Sequence, residues 1–191
     1  MSEKLSAKEI VARNKAHNEE RNARPLPSPG DTGEVVAVCI SVKKGTAKEN
    51  VGSCRFIEEY GLEHDAHAGH WHRQVSLLSH EEVEHFRSRG ANVADGAFGE
   101  NLLVKNFDFR RLPVGTIFSC NDVTLEMTQI GKKCHSECAI FHQVGDCIMP
   151  REGVFARVLT GGTIKVGDQL TLVKLGDGSS KAYYAETNEE A

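Results

Sequence analysis

Between residues 33 and 175 the sequence is cut into short runs of β-branched and aromatic residues, each bounded by glycines or turn-forming pairs. This pattern leaves few folds open. GEVVAVCISV begins it; RQVSLL, NLLV, TIFSC and VTLEMTQI follow, with Asn121-Asp122 as the turn between the last two. Runs of this length and composition read as strands. GVFARVLTGGTIKVGDQLTLV ends the region as two strands around Gly161-Gly162, a hairpin signal. Val114-Gly115-Thr116 and Val166-Gly167-Asp168 echo one another, each glycine letting the chain turn tightly into the strand that follows. One helix is well marked: Ser79 and Glu82 match a capping box, Gly90 sits at the C-terminal cap, and Val83 and Phe86 face the core. A shorter helix is expected within residues 137–143. Many short strands, one or two short helices and glycines at the corners predict a mainly β protein, a closed or nearly closed β-barrel, with a flat sandwich as the alternative.

The flanks are of a different kind. Residues 1–24 are highly charged and form at most a weak helix over 7–21 with a thin apolar face. Pro25, Pro27, Pro29 and Gly30 then punctuate the chain. The stretch from about residue 176 is rich in Gly, Ser, Lys and Glu and reads as a loose tail. The expected organisation is a flexible extension over 1–32, one domain over 33–175 and a flexible tail over 176–191, with both ends dispensable for folding. With 23 basic residues against 27 acidic ones and no dense basic stripe interleaved with aromatics, nucleic-acid binding is not expected. No apolar run approaches the roughly 18 residues of a membrane helix. The N-terminus has no apolar centre and carries acids, unlike a signal or transit peptide. Six cysteines without a secretory signal point to reduced thiols in a cytoplasmic protein.

Three stretches carry chemistry. In GKKCHSECAIFHQVGDCIMP, residues 131–150, Cys134 is flanked by Lys132, Lys133 and His135, which favours the thiolate that attacks electrophiles and binds metals. Cys147, before Ile148-Met149, reads instead as a buried small hydrophobe. In GLEHDAHAGHWHRQVSLL, residues 61–78, Asp65, His67, His70 and His72 have the donors of a zinc or iron site, but their spacing fits no strong zinc pattern. Run into a strand, His70 and His72 share one face, with Trp71 and Arg73 on the other. The alternative is a polar wall that binds an anion or a polar cofactor. In ADGAFGENLLV, Gly99 precedes a strand and sets Glu100 and Asn101 at its mouth, within reach of a ligand; equally, Asn101 caps a turn.

In order, HDAH…HRQVSLL, FGENL, GKKCHSEC and GDCIMPREGVFARVLTGGTIKVGD resemble the MOSC domain, the module named after the C-terminal domain of molybdenum cofactor sulfurase. The resemblance covers about residues 33–173 and is strongest to the small stand-alone members. It implies a MOSC-type β-barrel of short mixed strands that binds the molybdenum cofactor (molybdopterin). Cys134 falls at the position of the family cysteine that ligates the metal or carries sulfur, with His67 and Asp65 as its catalytic companions. Arg73, Lys132, Lys133 and Arg151 are candidates for the cofactor's phosphate, and Glu100, Asn101 and His135 complete the cofactor-binding set. Stretches 61–78 and 131–150 are expected to meet at one end of the barrel as a single site. The sequence departs from the family where His64 replaces a glycine before Asp65 and Lys133 replaces a proline before Cys134. Neither a pyridoxal-phosphate domain nor a further N-terminal barrel is expected within these 191 residues, so cofactor or sulfur is expected to come from elsewhere, a molybdoenzyme or a sulfur donor protein being the implied partner. Three functions follow: reduction of N-hydroxylated compounds, cofactor sulfuration or delivery, and a zinc- or iron-binding protein using residues 64–72. Substrate and oligomeric state stay open.

Overall fold

The computed structural model describes residues 6–132 and 147–180. Its centre is a barrel of seven strands in the order β1, β11, β7, β8, β9, β5, β6 and back to β1, where β1 is Thr32–Ile40, β5 Val75–Ser79, β6 Leu102–Val104, β7 Ile117–Cys120, β8 Val123–Ile130, β9 Val154–Thr160 and β11 Gln169–Lys174. The closing seam is short, Thr32 to Glu34 against Thr171 to Gln169. Gly33 is required there, because a Cβ would lie 2.3 Å from the Lys105 carbonyl oxygen. Among the described strands only β5 and β6 run parallel, with Leu77 opposite Leu102. A parallel pair needs a crossover, and the helix α2, His80–Ser88, supplies it. The barrel is thus closed and mixed, as expected.

Two cores explain the sequence pattern. Val35, Val38, Val75, Leu77, Phe118 and Leu125 fill the barrel, whereas Ala37, Cys39, Leu78 and Leu103 face outward and pack on Val83 and Phe86 of α2. Strands covered on both faces lose the polar alternation, hence the unbroken VSLL and LLV runs. Gly115 and Gly167 both have left-handed φ, +87° and +90°, and each leads into a strand.

Two expectations are corrected. The region after Gly153 is three strands, not a two-stranded hairpin. β9 stays in the barrel between β8 and β5, while β10 (Gly162–Lys165) leaves to pair with β3 (Ser53–Ile57), which also pairs with β4 (Gly61–Leu62). Neither Gly161 nor Gly162 has the positive φ that a tight hairpin turn requires. They are small because the chain crosses other backbone there: a Cβ on Gly161 would lie 2.7 Å from the Phe56 carbonyl oxygen. Second, Ser79 does not cap α2. Its hydroxyl donates to the Phe107 carbonyl and accepts from the Phe109 amide at 3.4 Å, while Glu82 takes His17 as partner at 2.9 Å. The capping box that forms is Ser6 with Glu9, at the start of α1 (Ala7–Ala23). The helix expected over 7–21 forms as α1 and makes specific contacts despite its thin apolar face. Arg21, its side chain 11% exposed, meets Asp108, Glu152 at 2.9 Å and Glu82 at 3.6 Å. His17 stacks on His85 at 3.9 Å, and Arg111 donates to the carbonyls of Arg21 and Arg24. The expected helix within 137–143 lies outside the described residues. β2 (Glu49–Asn50) pairs antiparallel with the end of β1, and a short helix α3 (Met149–Glu152) precedes β9.

Candidate functional site

Residues 63–74 are a chain of turns between β4 and β5, so the expected strand with His70 and His72 on one face does not form. The loop is drawn shut at its ends, where a Cβ on Gly61 would lie 2.7 Å from the Gln74 carbonyl oxygen. His64 has a left-handed φ of +63° and an exposed side chain. A glycine at this position therefore serves the backbone conformation. The histidine does not crowd the interior; it carries the left-handed geometry at some cost.

Asp65 is the buried anchor of the loop. Its Oδ2 receives Lys48 Nζ at 2.6 Å and Asn101 Nδ2 at 2.8 Å, and its Oδ1 receives the Ser41 amide at 3.2 Å. His67 Nδ1 stands 3.6 Å from Oδ1. Burial alone would raise the Asp65 carboxyl, but His67, Lys48 and Asn101 outweigh it and hold the group well below the usual carboxylate range. Burial pulls the Lys48 ammonium down, with Asp65 and Glu100 opposing. Asn101 is saturated: Nδ2 also donates to the Cys39 carbonyl at 2.9 Å, and Oδ1 accepts from the Ser76 amide and hydroxyl at 3.0 and 2.9 Å. Glu100 is fully buried and accepts the amides of Gly96 and Phe98 at 2.7 and 3.1 Å. Burial pushes its carboxyl up to about 7. Neither residue stands at an open strand mouth; protein groups occupy both.

Arg73 has different company. Its guanidinium lies 4.6 Å over the Trp71 ring and 5.8 Å from that of Phe155, and its Nε is buried without a hydrogen-bond partner. A planar cation with donors to spare, set against aromatic faces, suits a phosphate or a carboxylate. Next to it His72 Nε2 meets Gln129 Oε1 at 2.6 Å, and Gln129 donates to the Gly131 carbonyl at 2.7 Å. Gly131 in turn donates to the Gly153 carbonyl at 2.7 Å, and a Cβ on it would lie 2.3 Å from the Pro150 carbonyl oxygen. Both ends of stretch 131–150 are thereby held beside the loop that carries Arg73. Lys132 is half-buried at the head of that stretch, and Arg151 is exposed at its far end on α3. Lys133, Cys134, His135 and Cys138 lie outside the described residues.

The histidines do not converge. His70 Nδ1 pairs with the Glu59 carbonyl at 2.9 Å, His72 with Gln129, and His67 faces Asp65. Among the described residues no three His, Cys, Asp or Glu side chains are grouped as a metal site, so the zinc or iron reading of residues 64–72 has no ligand set within them. Nor are the thiols of Cys39, Cys54 and Cys120 primed. Burial, reinforced by Glu100 and Asp95, pushes Cys39 up to about 12; burial and Asp168 push Cys120 up to about 11. Cys147 packs on the outer core, in keeping with its reading as a small hydrophobe. Lys48 was not foreseen: in SVKKGTAKEN nothing distinguishes it from Lys43 or Lys44, which are exposed.

The model of the MOSC domain matches residues 64–171. Among solved structures, the chain is similar to the YuaD protein from Bacillus subtilis (17% identity, TM-score 0.63, covering 73% of this chain and 94% of that one). It is also similar to YiiM from Geobacillus stearothermophilus (22%, 0.56, 83% and 84%) and YiiM from Escherichia coli (17%, 0.53, 86% and 79%). At these identities the likeness is one of fold. Comparison with curated proteins returns no significant match. No helix among the described residues is long and apolar enough to cross a membrane.

Proposed function

Because the chain belongs to the MOSC domain family, which is associated with molybdenum cofactor binding and sulfuration, we propose that it binds molybdopterin where the 61–78 loop meets stretch 131–150. The observation that carries this reading is Arg73, a cation stacked on Trp71 and Phe155 with a buried, unpaired Nε beside the chain leading to Lys132. Arg73 and Lys132 hold the anionic end, with Lys133 and Arg151 as further cations. Asp65 keeps the loop in place through Lys48 and Asn101, and His67 stands at its exposed side. Bound there, the cofactor would supply a molybdenum centre, for which the soft thiolate of Cys134 is a natural ligand or sulfur acceptor. The role is cofactor sulfuration and delivery, or reduction of N-hydroxylated compounds; turnover with a chemical electron donor separates the two.

The test is molybdenum and pterin content of protein purified from a molybdate-fed host competent in cofactor synthesis. Wild type is expected to retain both. Arg73→Ala loses both together, and Cys134→Ser loses activity more than pterin. Wild-type protein without molybdenum or pterin overturns the reading, and equal contents in all three proteins overturn the assigned site.

A further inference from the structure

A buried lysine paired with a buried aspartate is costly to maintain, since both charges give up water. The Lys48 side chain is 3% exposed and that of Asp65 is 0% exposed. Two donors, Lys48 Nζ and Asn101 Nδ2, converge on Oδ2 and leave Oδ1 turned towards the Ser41 amide and His67. The His67 ring has one buried nitrogen, Nδ1, with no hydrogen-bond partner and the Asp65 carboxylate 3.6 Å away as the charge before it. A lone pair on Nδ1 would point at a negative oxygen with both atoms buried, whereas an N–H there is attracted to it. With Nδ1 buried and the side chain 37% exposed, Nε2 is the nitrogen available at the surface.

We propose that Lys48 is a positioning residue that fixes the tautomer of His67. By holding Asp65 as a carboxylate, it prevents a protonated Asp65 from donating to Nδ1. The ring is kept in the Nδ1–H form, with a lone pair on Nε2. His67 then accepts a hydrogen bond from whatever the site binds, so the ligand atom that meets it carries an N–H or O–H. Arg73, which offers only donors, takes the anionic part. The site therefore reads a ligand with a proton-bearing group at one end and an anion at the other. This specificity rests on the binding reading above, but the tautomer does not.

The test is the ring 15N spectrum of histidine-labelled full-length protein, with His67 identified by the resonances lost in His67→Gln. Wild type is expected to show the Nδ1–H form; an Nε2–H ring overturns the proposal without any further variant. In Asp65→Asn, Lys48 and Asn101 hold the amide oxygen and the NH2 faces the ring, so His67 is expected to switch to Nε2–H. In Lys48→Met the Nε2–H share is expected to grow, and an unchanged ring in folded Lys48→Met overturns the role of the lysine. Should Lys48→Met not fold, the double variant Lys48→Met/Asp65→Asn leaves no lone charge inside; a retained Nδ1–H ring there overturns the claim that the pair sets the tautomer. The ring signal needs no cofactor. An Nδ1–H ring in protein that retains no pterin sinks the binding reading alone, and an Nε2–H ring in protein that retains it sinks this inference alone.

Discussion

Asp65 and Arg73 belong to the same loop between β4 and β5, and the fold treats their charges in opposite ways. Asp65 is enclosed and answered by Lys48, Asn101 and the Ser41 amide. Among the described residues Arg73 is answered by the faces of Trp71 and Phe155, and its Nε has no partner there. A fully answered buried charge is part of the framework, and removing one partner strands the other. An unanswered donor at a loop edge contributes little to folding and much to whatever anion approaches it. The pair therefore separates the structural half of the loop from its binding half.

The largest effect is expected on the Asp65 side. Lys48→Met leaves a buried carboxylate without its cation and should lower the unfolding free energy by about 3–5 kcal/mol, measured by denaturant melts. Because the folded Asp65 carboxyl is held below its ordinary value, its stabilisation is complete above about pH 4 and fades only at more acid pH. Glu100 has the opposite sign. Its carboxyl rises from 4.5 to about 7, so the stabilisation of its protonated form is complete below 4.5 and is lost as pH rises to 7, a change on the order of 3 kcal/mol. Glu100→Gln should flatten that part of the stability–pH curve; an unchanged slope would show that Glu100 is not its source.

Arg73→Ala is expected to reverse this profile. Anion retention should weaken by roughly 1.5–3 kcal/mol, while fold stability changes by less than about 2 kcal/mol, the most that a desolvated cation–π contact is usually worth. A melting temperature that falls as far as that of Lys48→Met would erase the contrast. At the α1 seam, Arg21→Ala removes the one cation shared by Glu82, Asp108 and Glu152 and should cost about 1–3 kcal/mol. Deleting residues 1–30 should lower the melting temperature at least as much; a truncated chain that melts with the full one restores the view of this segment as dispensable. The smallest effect is at His64. His64→Gly relieves a left-handed residue worth roughly 1–2 kcal/mol but adds chain entropy of roughly 0.5–1 kcal/mol, for a net gain of roughly 0–1.5 kcal/mol in a thermal melt.

The strands were legible because their signal is local. VTLEMTQI is β8 to the residue, and the turn at Asn121-Asp122 falls where the pair predicts it. The helix core of Val83 and Phe86 and the glycine at Gly90, with φ +98°, were readable for the same reason. Where two distant segments compete for one group, local signals fail. Ser79 and Glu82 have the spacing of a capping box, yet Phe107 and His17 claim them first. Gly161-Gly162 has the look of a hairpin turn, yet Phe56 backbone crosses there and β10 pairs elsewhere. In the site, the polar density of residues 61–78 was visible, but not that Asn101 and Lys48 would be spent on Asp65.

The sequence by itself determined the class of this fold, most of its barrel strands, the helix that carries Val83 and Phe86, and the family, because periodicity, turn chemistry and ordered motifs are properties of neighbouring residues. Only the tertiary structure decided which charges are enclosed and which are offered. Lys48, Asp65 and Asn101 come from three separate segments, and their distances exist only once β1, the 63–74 loop and β6 have packed together. Burial then sets the strength of each interaction: the same lysine in an open loop would be one more solvated charge.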